Sequence, residues 1–187
     1  AVVRETVEML SYRNLFRDVE VRLELGETPR AAILEDRFRQ VLLNLVINAV
    51  DAMKGLGRVT VRTWVMEGWS PGRRSPLRRR ATDPPEMDGK PLRASGTEAG
   101  RGVALAVTDT GGGIPAADLS LLFDPFFTTK EPGKGTGLGL SVSRTIVEGA
   151  GGEIRAESEE GKGATFLVVL PSARGTAGSG GEEGSHG

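Results

Sequence analysis

The chain contains stretches in which apolar residues recur at helical spacing and stretches in which apolar and polar residues alternate. Helical spacing predicts main helices over residues 1–15, 35–53 and 138–148. Alternation, or a short run rich in β-branched residues, predicts strands over residues 19–25, 59–66, 103–109, 153–158 and 165–170. A further short helix is expected over 115–123, because proline is favourable in the first turn of a helix.

The order of these elements predicts the fold class. Strands follow one another directly in two places, and 59–66 and 103–109 are expected to pair as a hairpin. The regular strand–helix alternation of a doubly wound sheet is missing. We therefore expect an α/β (α+β) two-layer sandwich, in which a mixed sheet carries helices on one face.

Two stretches differ in composition from the rest of the chain. Residues 68–101 are rich in proline, glycine and arginine and poor in large apolar residues, which predicts a disordered insertion. Residues 173–187 are rich in glycine and predict a flexible tail. The remainder is interpreted as one domain over residues 1–172.

The net charge and the cysteine content exclude several kinds of binding site and catalytic group. A net charge of −1 gives no general attraction to nucleic acid. The absence of cysteine removes disulfides, thiolate metal sites and cysteine nucleophiles. No apolar run reaches the roughly 20 residues needed to span a bilayer, so a cytoplasmic location is expected. The chain opens inside a helical pattern, and we expect it to be a fragment of a longer protein, which itself can be membrane-anchored.

The long central helix carries polar side chains in an otherwise apolar surrounding. Asn44, Asn48 and Asp51 fall within about 60° of one another on a helical wheel. Buried amides need partners. Asparagine oxygens one turn apart can help complete a Mg²⁺ shell together with phosphate oxygens and water. The alternative is that both asparagines satisfy backbone groups or water inside the core.

A second candidate feature follows the strand predicted over 103–109. Asp109 ends this strand and begins a glycine-rich loop that contains Gly111, Gly113 and Ile114. A carboxylate only accepts hydrogen bonds, so it can hold the amino group of adenine but is repelled by the carbonyl oxygen of guanine. Glycines let a flat base approach the backbone closely. The alternative is an ordinary turn that begins with aspartate.

The third candidate feature is a glycine-rich loop that opens the last helix. Unpaired N–H groups and the positive end of the helix dipole converge at such a start, which suits phosphate. The segment comprises Gly135, Thr136, Gly137, Leu138, Gly139 and Leu140. Ahead of it, a phenylalanine cluster leads into polar residues that suggest a lid: Phe123, Phe126, Phe127, Thr128, Thr129, Lys130 and Lys134. For the lysines, the alternative is a solvated loop charge.

Together these motifs resemble the nucleotide-binding (Bergerat-type) fold shared by gyrase, heat-shock protein 90, histidine kinases and mismatch-repair ATPases. Residues 44–53 resemble its N box, 109–113 its G1 box and 123–130 its F box. Residues 135–140 resemble its G2 box and 161–165 its final glycine motif, which adds Thr165 to the expected site. The motifs occur in the family's order and cover the chain to about residue 171, apart from the insertion.

The resemblance also implies a branch of the superfamily and roles for individual residues. Hydrolysing members carry a glutamate at the place of Asn44, and an amide cannot take a proton from water. This difference and the phenylalanine-rich F box are similar to sensor histidine kinases of the nitrogen-sensor type. In that family Asn48 would bind Mg²⁺, Asp109 would anchor adenine, and Lys130 would contact the phosphates of ATP. Many histidine kinases carry a lysine or an aromatic residue at the positions of Asp51 and Ala52, and this chain carries neither there.

The acceptor of the phosphoryl group is expected to lie outside this chain. The only histidine, His186, lies in the glycine-rich tail without helical or acidic context. No catalytic residue is therefore assigned within the chain, and no autophosphorylation of the isolated chain is expected. The implied partners are a histidine-bearing dimerisation domain and, through the parent protein, a response regulator. We expect a monomeric fragment of a homodimeric parent. Two alternatives share the fold: an anti-sigma-type serine kinase and a degenerate nucleotide-binding docking module.

Overall fold

The computed structural model describes residues 1–12, 16, 18–53, 56–69, 100–130 and 135–173. The helices are α1 (Val2–Tyr12), α2 (Glu35–Ala52) and α3 (Gly139–Gly149). The strands are β1 (Val19–Leu25), β2 (Gly57–Trp69), β3 (Gly100–Asp109), β4 (Glu153–Ser158) and β5 (Ala164–Pro171). Each main helix and strand expected from the sequence is present. Among the described residues, no helix is long and apolar enough to cross a membrane.

The five strands form one mixed sheet with the order β1-β2-β3-β5-β4. Strands β1 and β2 are parallel and connected through α2, while every other neighbouring pair is antiparallel. Strand β2 pairs with β3 from Val59↔Asp109 to Met66↔Gly102, which confirms the predicted hairpin pairing. The pairing places the end of β3, and with it Asp109, next to the start of β2.

All three helices pack against one face of the sheet. The main core joins buried residues of α1, α2 and α3 to the sheet residues that face them, among them Val7, Leu42, Leu45, Val147, Val61, Val107 and Val168. A smaller apolar cluster covers the opposite face and contains no residue from the described helices: Trp64, Met66, Trp69, Ala104, Ala106, Leu167 and Val169. The two-layer sandwich predicted from the sequence is confirmed.

The prediction of a short helix over residues 115–123 is wrong. This segment forms consecutive turns, in which each hydrogen bond joins residues three apart. The N–H groups of Asp118, Leu121 and Asp124 donate to the carbonyls of Pro115, Asp118 and Leu121, at 2.9, 3.0 and 2.9 Å. Leu122 is buried in the core and Leu119 and Phe123 pack against it. The segment is thus a series of tight turns whose apolar side chains pack against the core. It lacks the hydrogen bonds between residues i and i+4 that define an α-helix.

The predicted bounds of the insertion and the tail also need correction. Trp69 still belongs to β2 and pairs with Gly100 of β3, so residues 68, 69, 100 and 101 lie in strands. Trp69 is 5% exposed because its ring packs over Gly102, which the composition of the surrounding segment did not reveal. Ala173 donates its N–H to the carbonyl of Arg30 at 2.7 Å and is not part of a free tail. The remaining parts of both predictions, 70–99 and 174–187, lie outside the described residues.

Candidate functional site

Asp109 lies at the end of β3 with its carboxylate buried and held in one orientation. Its side chain is 2% exposed. Oδ1 accepts hydrogen bonds from the N–H groups of Gly111 (2.8 Å) and Ala164 (3.3 Å). Burial raises the pKa of Asp109, and these two backbone hydrogen bonds partly offset that rise. Because the described residues offer Oδ2 no hydrogen-bond partner, this oxygen is left to accept a donor from a ligand.

Gly163 allows the backbone of β5 to approach Asp109. Its φ is +85°, in the left-handed region that favours glycine, and a Cβ atom there would collide with the carbonyl of Asp109. The following residue, Ala164, therefore reaches the Asp109 carboxylate with its N–H. The sequence did not predict this contact, although Gly163 ahead of β5 is the feature that could have indicated it.

The glycine loop after β3 is tied to the elements on both sides of it. The N–H of Gly112 donates to the carbonyl of Ala52 at the end of α2 (3.4 Å). The N–H of Gly161 donates to the carbonyl of Gly112 (2.7 Å), which joins the loop to the β4–β5 turn. On the other side of the loop, the Ser158 Oγ accepts from the N–H of Ile114 at 2.8 Å. These contacts fix the floor of the site before any ligand arrives.

Thr165 does not belong to the site, contrary to the expectation from the glycine motif. It pairs with Thr108 across the sheet, and the two hydroxyls are hydrogen-bonded at 2.9 Å. Successive side chains of a strand point to opposite faces, so Thr108 and Thr165 lie on the face opposite to Asp109. Ala164, one residue before Thr165 in β5, lies on the face of the sheet that carries Asp109.

Asn44 connects the two helices that flank the site. Its Nδ2 donates to the carbonyl of Gly139 (3.0 Å) and to the Oγ of Ser143 (3.1 Å). Ser143 is completely buried and donates in turn to the carbonyl of Gly139 at 2.8 Å. The Asn44 amide nitrogen therefore positions the start of α3, a contact that the sequence analysis did not anticipate.

Replacing Asn44 with aspartate should destabilise the domain by about 1–3 kcal/mol, because it removes two hydrogen bonds that contribute about 0.5–1.5 kcal/mol each. The carboxylate would lose both donated hydrogen bonds and would lie next to the carbonyl of Gly139. Denaturant unfolding measures this loss. The matched control is Asn48→Asp, one turn further along α2, whose oxygen lies near the Lys130 ammonium and which should be stable. Equal stability of both variants would contradict the assigned role of Asn44.

The second glycine loop forms a tight turn at the start of α3. The N–H of Phe126 donates to the carbonyl of Gly137 at 3.0 Å, which holds these two residues next to each other. Gly137 has a φ of +65°, and a Cβ atom would collide with the backbone of Phe126. The N–H of Leu138 donates to the Oγ1 of Thr136 at 3.4 Å. The first-turn N–H groups of α3, beginning with Gly139, have no acceptor within the helix and can bind an anion.

The phenylalanine-rich segment is anchored at one side and exposed at the other. Phe123 and Phe127 pack against the core, as does Leu140 at the start of α3. Phe126 instead is 74% exposed and has a φ of +68°, which is unusual for a residue other than glycine. Residues 131–134, which include Lys134, lie outside the described residues.

Lys130 reaches from this segment to α2. Its Nζ lies 2.5 Å from Asp51 Oδ2 and 3.4 Å from Asn48 Oδ1. Its backbone N–H donates to the Oγ1 of Thr128 at 3.2 Å. The structure thus brings Asn48, Asp51 and Lys130 together on the side of α2 that faces the second glycine loop.

The fold and this arrangement define an ATPase class. Residues 33–174 match the model of the family described as histidine kinase-, DNA gyrase B- and HSP90-like ATPase, and the chain belongs to that family. Its relatives within the family are sensor kinases. The chain is similar to the sensor kinase CckA of Brucella abortus, with 40% identity over 88% of this chain and 16% of that protein. It is also similar to the sensor histidine kinase ZraS of Escherichia coli, with 34% identity over 91% of this chain and 29% of that protein.

Solved structures agree with this placement. The catalytic domain of the histidine kinase ThkA superimposes with a TM-score of 0.63 at 26% identity, over 91% of this chain and 90% of that one. Full-length ShkA in complex with AMPPNP gives a TM-score of 0.64 at 26% identity, over 92% of this chain and 29% of that one. The chain is therefore an ATP-binding domain of the kind found in sensor histidine kinases. It spans less than a third of the curated relatives described above.

Proposed function

We propose that this domain binds Mg·ATP and donates the γ-phosphoryl group to a histidine on a dimerisation domain of its parent protein. The observation that carries the proposal is the buried Asp109 carboxylate, which has one oxygen held by two backbone N–H groups and the other free for a ligand. The ATPase family and the sensor-kinase relatives support the same assignment. We place the domain in the cytoplasm, where ATP is available.

Asp109 would recognise adenine through its amino group. The free Oδ2 accepts a hydrogen bond from that amine, and the loop that contains Gly111, Gly113 and Ile114 offers the base a surface of backbone. Guanine presents a carbonyl oxygen at the same place, which the ionised carboxylate repels. The domain is thus expected to prefer ATP to GTP.

The phosphates would lie between the start of α3 and the Lys130 side chain. Free N–H groups and the helix dipole at Gly139 favour an anion, and the turn at Gly135–Leu138 gives the phosphates close access to the backbone. Lys130 and Thr128 lie next to this turn, since a Cβ atom on Gly135 would contact both side chains. The ShkA structure was solved with AMPPNP, which supports a triphosphate analogue as ligand of this fold.

The residues of the site fit a magnesium ion bound mainly by the nucleotide. The Asn48 Oδ1 already lies near a cationic group, the Lys130 ammonium, at 3.4 Å. No group of three or more His, Cys, Asp or Glu side chains that could hold a metal occurs in the described part of the chain. Asn48 would therefore be one ligand beside phosphate oxygens and water. When bound, Mg²⁺ neutralises charge on the phosphates.

The site is suited to transfer to a protein rather than to rapid hydrolysis. Asn44 stands where hydrolysing relatives need a general base, and an amide cannot accept a proton from water. Its nitrogen is also engaged with Gly139 and Ser143. The acceptor must be positioned in line with the γ-phosphate, and the exposed Phe126 ring next to the loop offers an apolar contact for such a partner.

Incubation with γ-labelled ATP and a separately supplied histidine-bearing dimerisation domain tests this proposal. We expect label on the added domain, removal of that label by acid, and no stable label on this chain alone. The parent's own dimerisation domain is the natural acceptor, and its histidine-to-alanine variant is the control. Acid-stable label would indicate a serine kinase instead, whereas nucleotide binding without any transfer would indicate a docking module.

A further inference from the structure

We propose that Asp51 is a positioning residue for Lys130: in the nucleotide-free domain their ion pair holds the Lys130 ammonium over the metal-binding oxygen of Asn48, and Mg·ATP must displace it. Asp51 would thereby lower the affinity for Mg·ATP instead of contributing a ligand. The displacement step rests on the function proposed above, whereas the ion pair itself does not.

The first support is the geometry of the Lys130 ammonium. It lies 2.5 Å from Asp51 Oδ2 and 3.4 Å from Asn48 Oδ1, so it bridges two oxygens that are one turn apart on α2. A magnesium ion at the Asn48 oxygen would lie close to the ammonium in this position, and the two positive charges would repel each other. Lys130 consequently acts as a substitute cation, and it must leave before the metal enters.

The second support is the position of Asp51 on α2. It lies in the last turn of the helix, where the negative end of the dipole disfavours a carboxylate, and the last turn contains no basic residue. Lys130 is its ion-pair partner among the described residues and supplies the missing positive charge from a different segment. The two side chains are 34% and 42% exposed, so the pair is accessible to solvent and can exchange.

The third support is that the backbone of Lys130 is anchored independently of the ion pair. Its N–H donates to Thr128 Oγ1, and Phe126 in the same segment donates its N–H to the carbonyl of Gly137. The ammonium can therefore move from α2 to a phosphate by rotation of its own side chain. Asp51 sets the starting position of that movement.

A double-mutant cycle in this chain tests the proposal, with Asp51→Asn, Lys130→Gln and the double variant. Without nucleotide, the two sites should be coupled by about 1.5- to 5-fold in the unfolding equilibrium constant, the range measured for partly exposed pairs. In calorimetric titration with Mg·ATP, Asp51→Asn should bind about 1.5- to 5-fold more tightly than the wild type. The same change in the Lys130→Gln background should have no effect.

Glu148→Gln provides the matched control, because Glu148 forms a solvent-exposed ion pair with Arg144 (2.7 Å) within α3. This variant should leave the affinity for Mg·ATP unchanged. Weaker binding by Asp51→Asn would overturn the proposal and make Asp51 a contributor to metal binding. Equal tightening in both backgrounds would also overturn it, since plain repulsion between Asp51 and phosphate does not require Lys130.

Different results would contradict the proposed function and the ion pair between Asp51 and Lys130. If none of the four proteins binds Mg·ATP, the proposed function is wrong, and coupling in the nucleotide-free proteins still decides whether the ion pair exists. If Mg·ATP binds but the nucleotide-free proteins show no coupling, the present inference alone is wrong.

Discussion

Asp109→Asn should lower the affinity for Mg·ATP by about 10- to 150-fold, the equivalent of a hydrogen bond to a charged partner. The amide retains an oxygen for the N–H groups of Gly111 and Ala164, so the loop keeps its shape. Its second atom becomes an N–H donor that faces the adenine amine, and two donors repel each other. Calorimetric titration with ATP and GTP measures the loss and the change in base preference.

The same substitution should raise the stability of the nucleotide-free domain at neutral pH. Burial raises the pKa of Asp109 above that of the unfolded chain, so the folded state holds this proton more tightly. In the wild type, the protonated Asp109 side chain therefore contributes to stability. This contribution is fully present below the unfolded pKa and is lost as pH rises through the folded pKa. The advantage of Asp109→Asn should therefore be greatest above the folded pKa of Asp109 and shrink as the solution is acidified.

Asp36→Asn is the control for this pair of measurements, because Asp36 is an exposed carboxylate in the first turn of α2, at the other end of the helix from Asn48. Its affinity for Mg·ATP should equal that of the wild type. An Asp109→Asn protein that is less stable at neutral pH, yet binds ATP normally, would show that Asp109 has a structural role and does not recognise the base.

Gly137→Ala should abolish measurable ATP binding and destabilise the domain by about 2–5 kcal/mol. An alanine at a φ of +65° costs about 1–2 kcal/mol, and its Cβ would additionally collide with the backbone of Phe126, with an overpacking cost of about 1–3 kcal/mol. The loop can relieve the collision only by moving, which would break the Phe126–Gly137 hydrogen bond and distort the turn that we propose binds phosphate.

Gly68→Ala is the matched control, because it shows the cost of the backbone conformation alone. The difference between the two variants is then the cost of the collision. Gly68 has a similar φ of +71° in β2, but a Cβ atom there would meet no heavy atom of the described residues within 4 Å. This variant should lose only about 1–2 kcal/mol of stability and bind ATP normally. Denaturant unfolding and ATP titration of both variants make the comparison. Normal binding by Gly137→Ala would exclude the second glycine loop from the phosphate site.

The two glycine loops of the candidate site are the part of the molecule whose local structure the sequence predicted best, because their residues are close together along the chain. Asp109 and the glycines after it lie within one turn, and their order along the chain already specifies a carboxylate beside exposed backbone. The same holds for the start of α3, where Gly137 and Gly139 precede a helical pattern. The contact of these residues with nucleotide stays a prediction, which the titrations above test.

Contacts between distant segments could not be predicted in this way. Asn44 meets Gly139 and Ser143, and Lys130 meets Asp51, across sequence separations that no periodicity encodes. Thr165 was assigned to the site because a motif specifies residue order, whereas the face of β5 on which a side chain lies depends on pairing with β3. The turns at 115–123 depend likewise on the anchoring of Leu122 in the core.

The sequence by itself determined the strands and main helices, the single helical layer and the positions of the two glycine loops, since each follows from the spacing of neighbouring residues. Only the tertiary structure decided which oxygen of Asp109 is free, which residue of β5 faces it and which charge accompanies Asp51. These features depend on how β3, β5 and α2 pack against one another, and packing joins residues that are far apart in the chain.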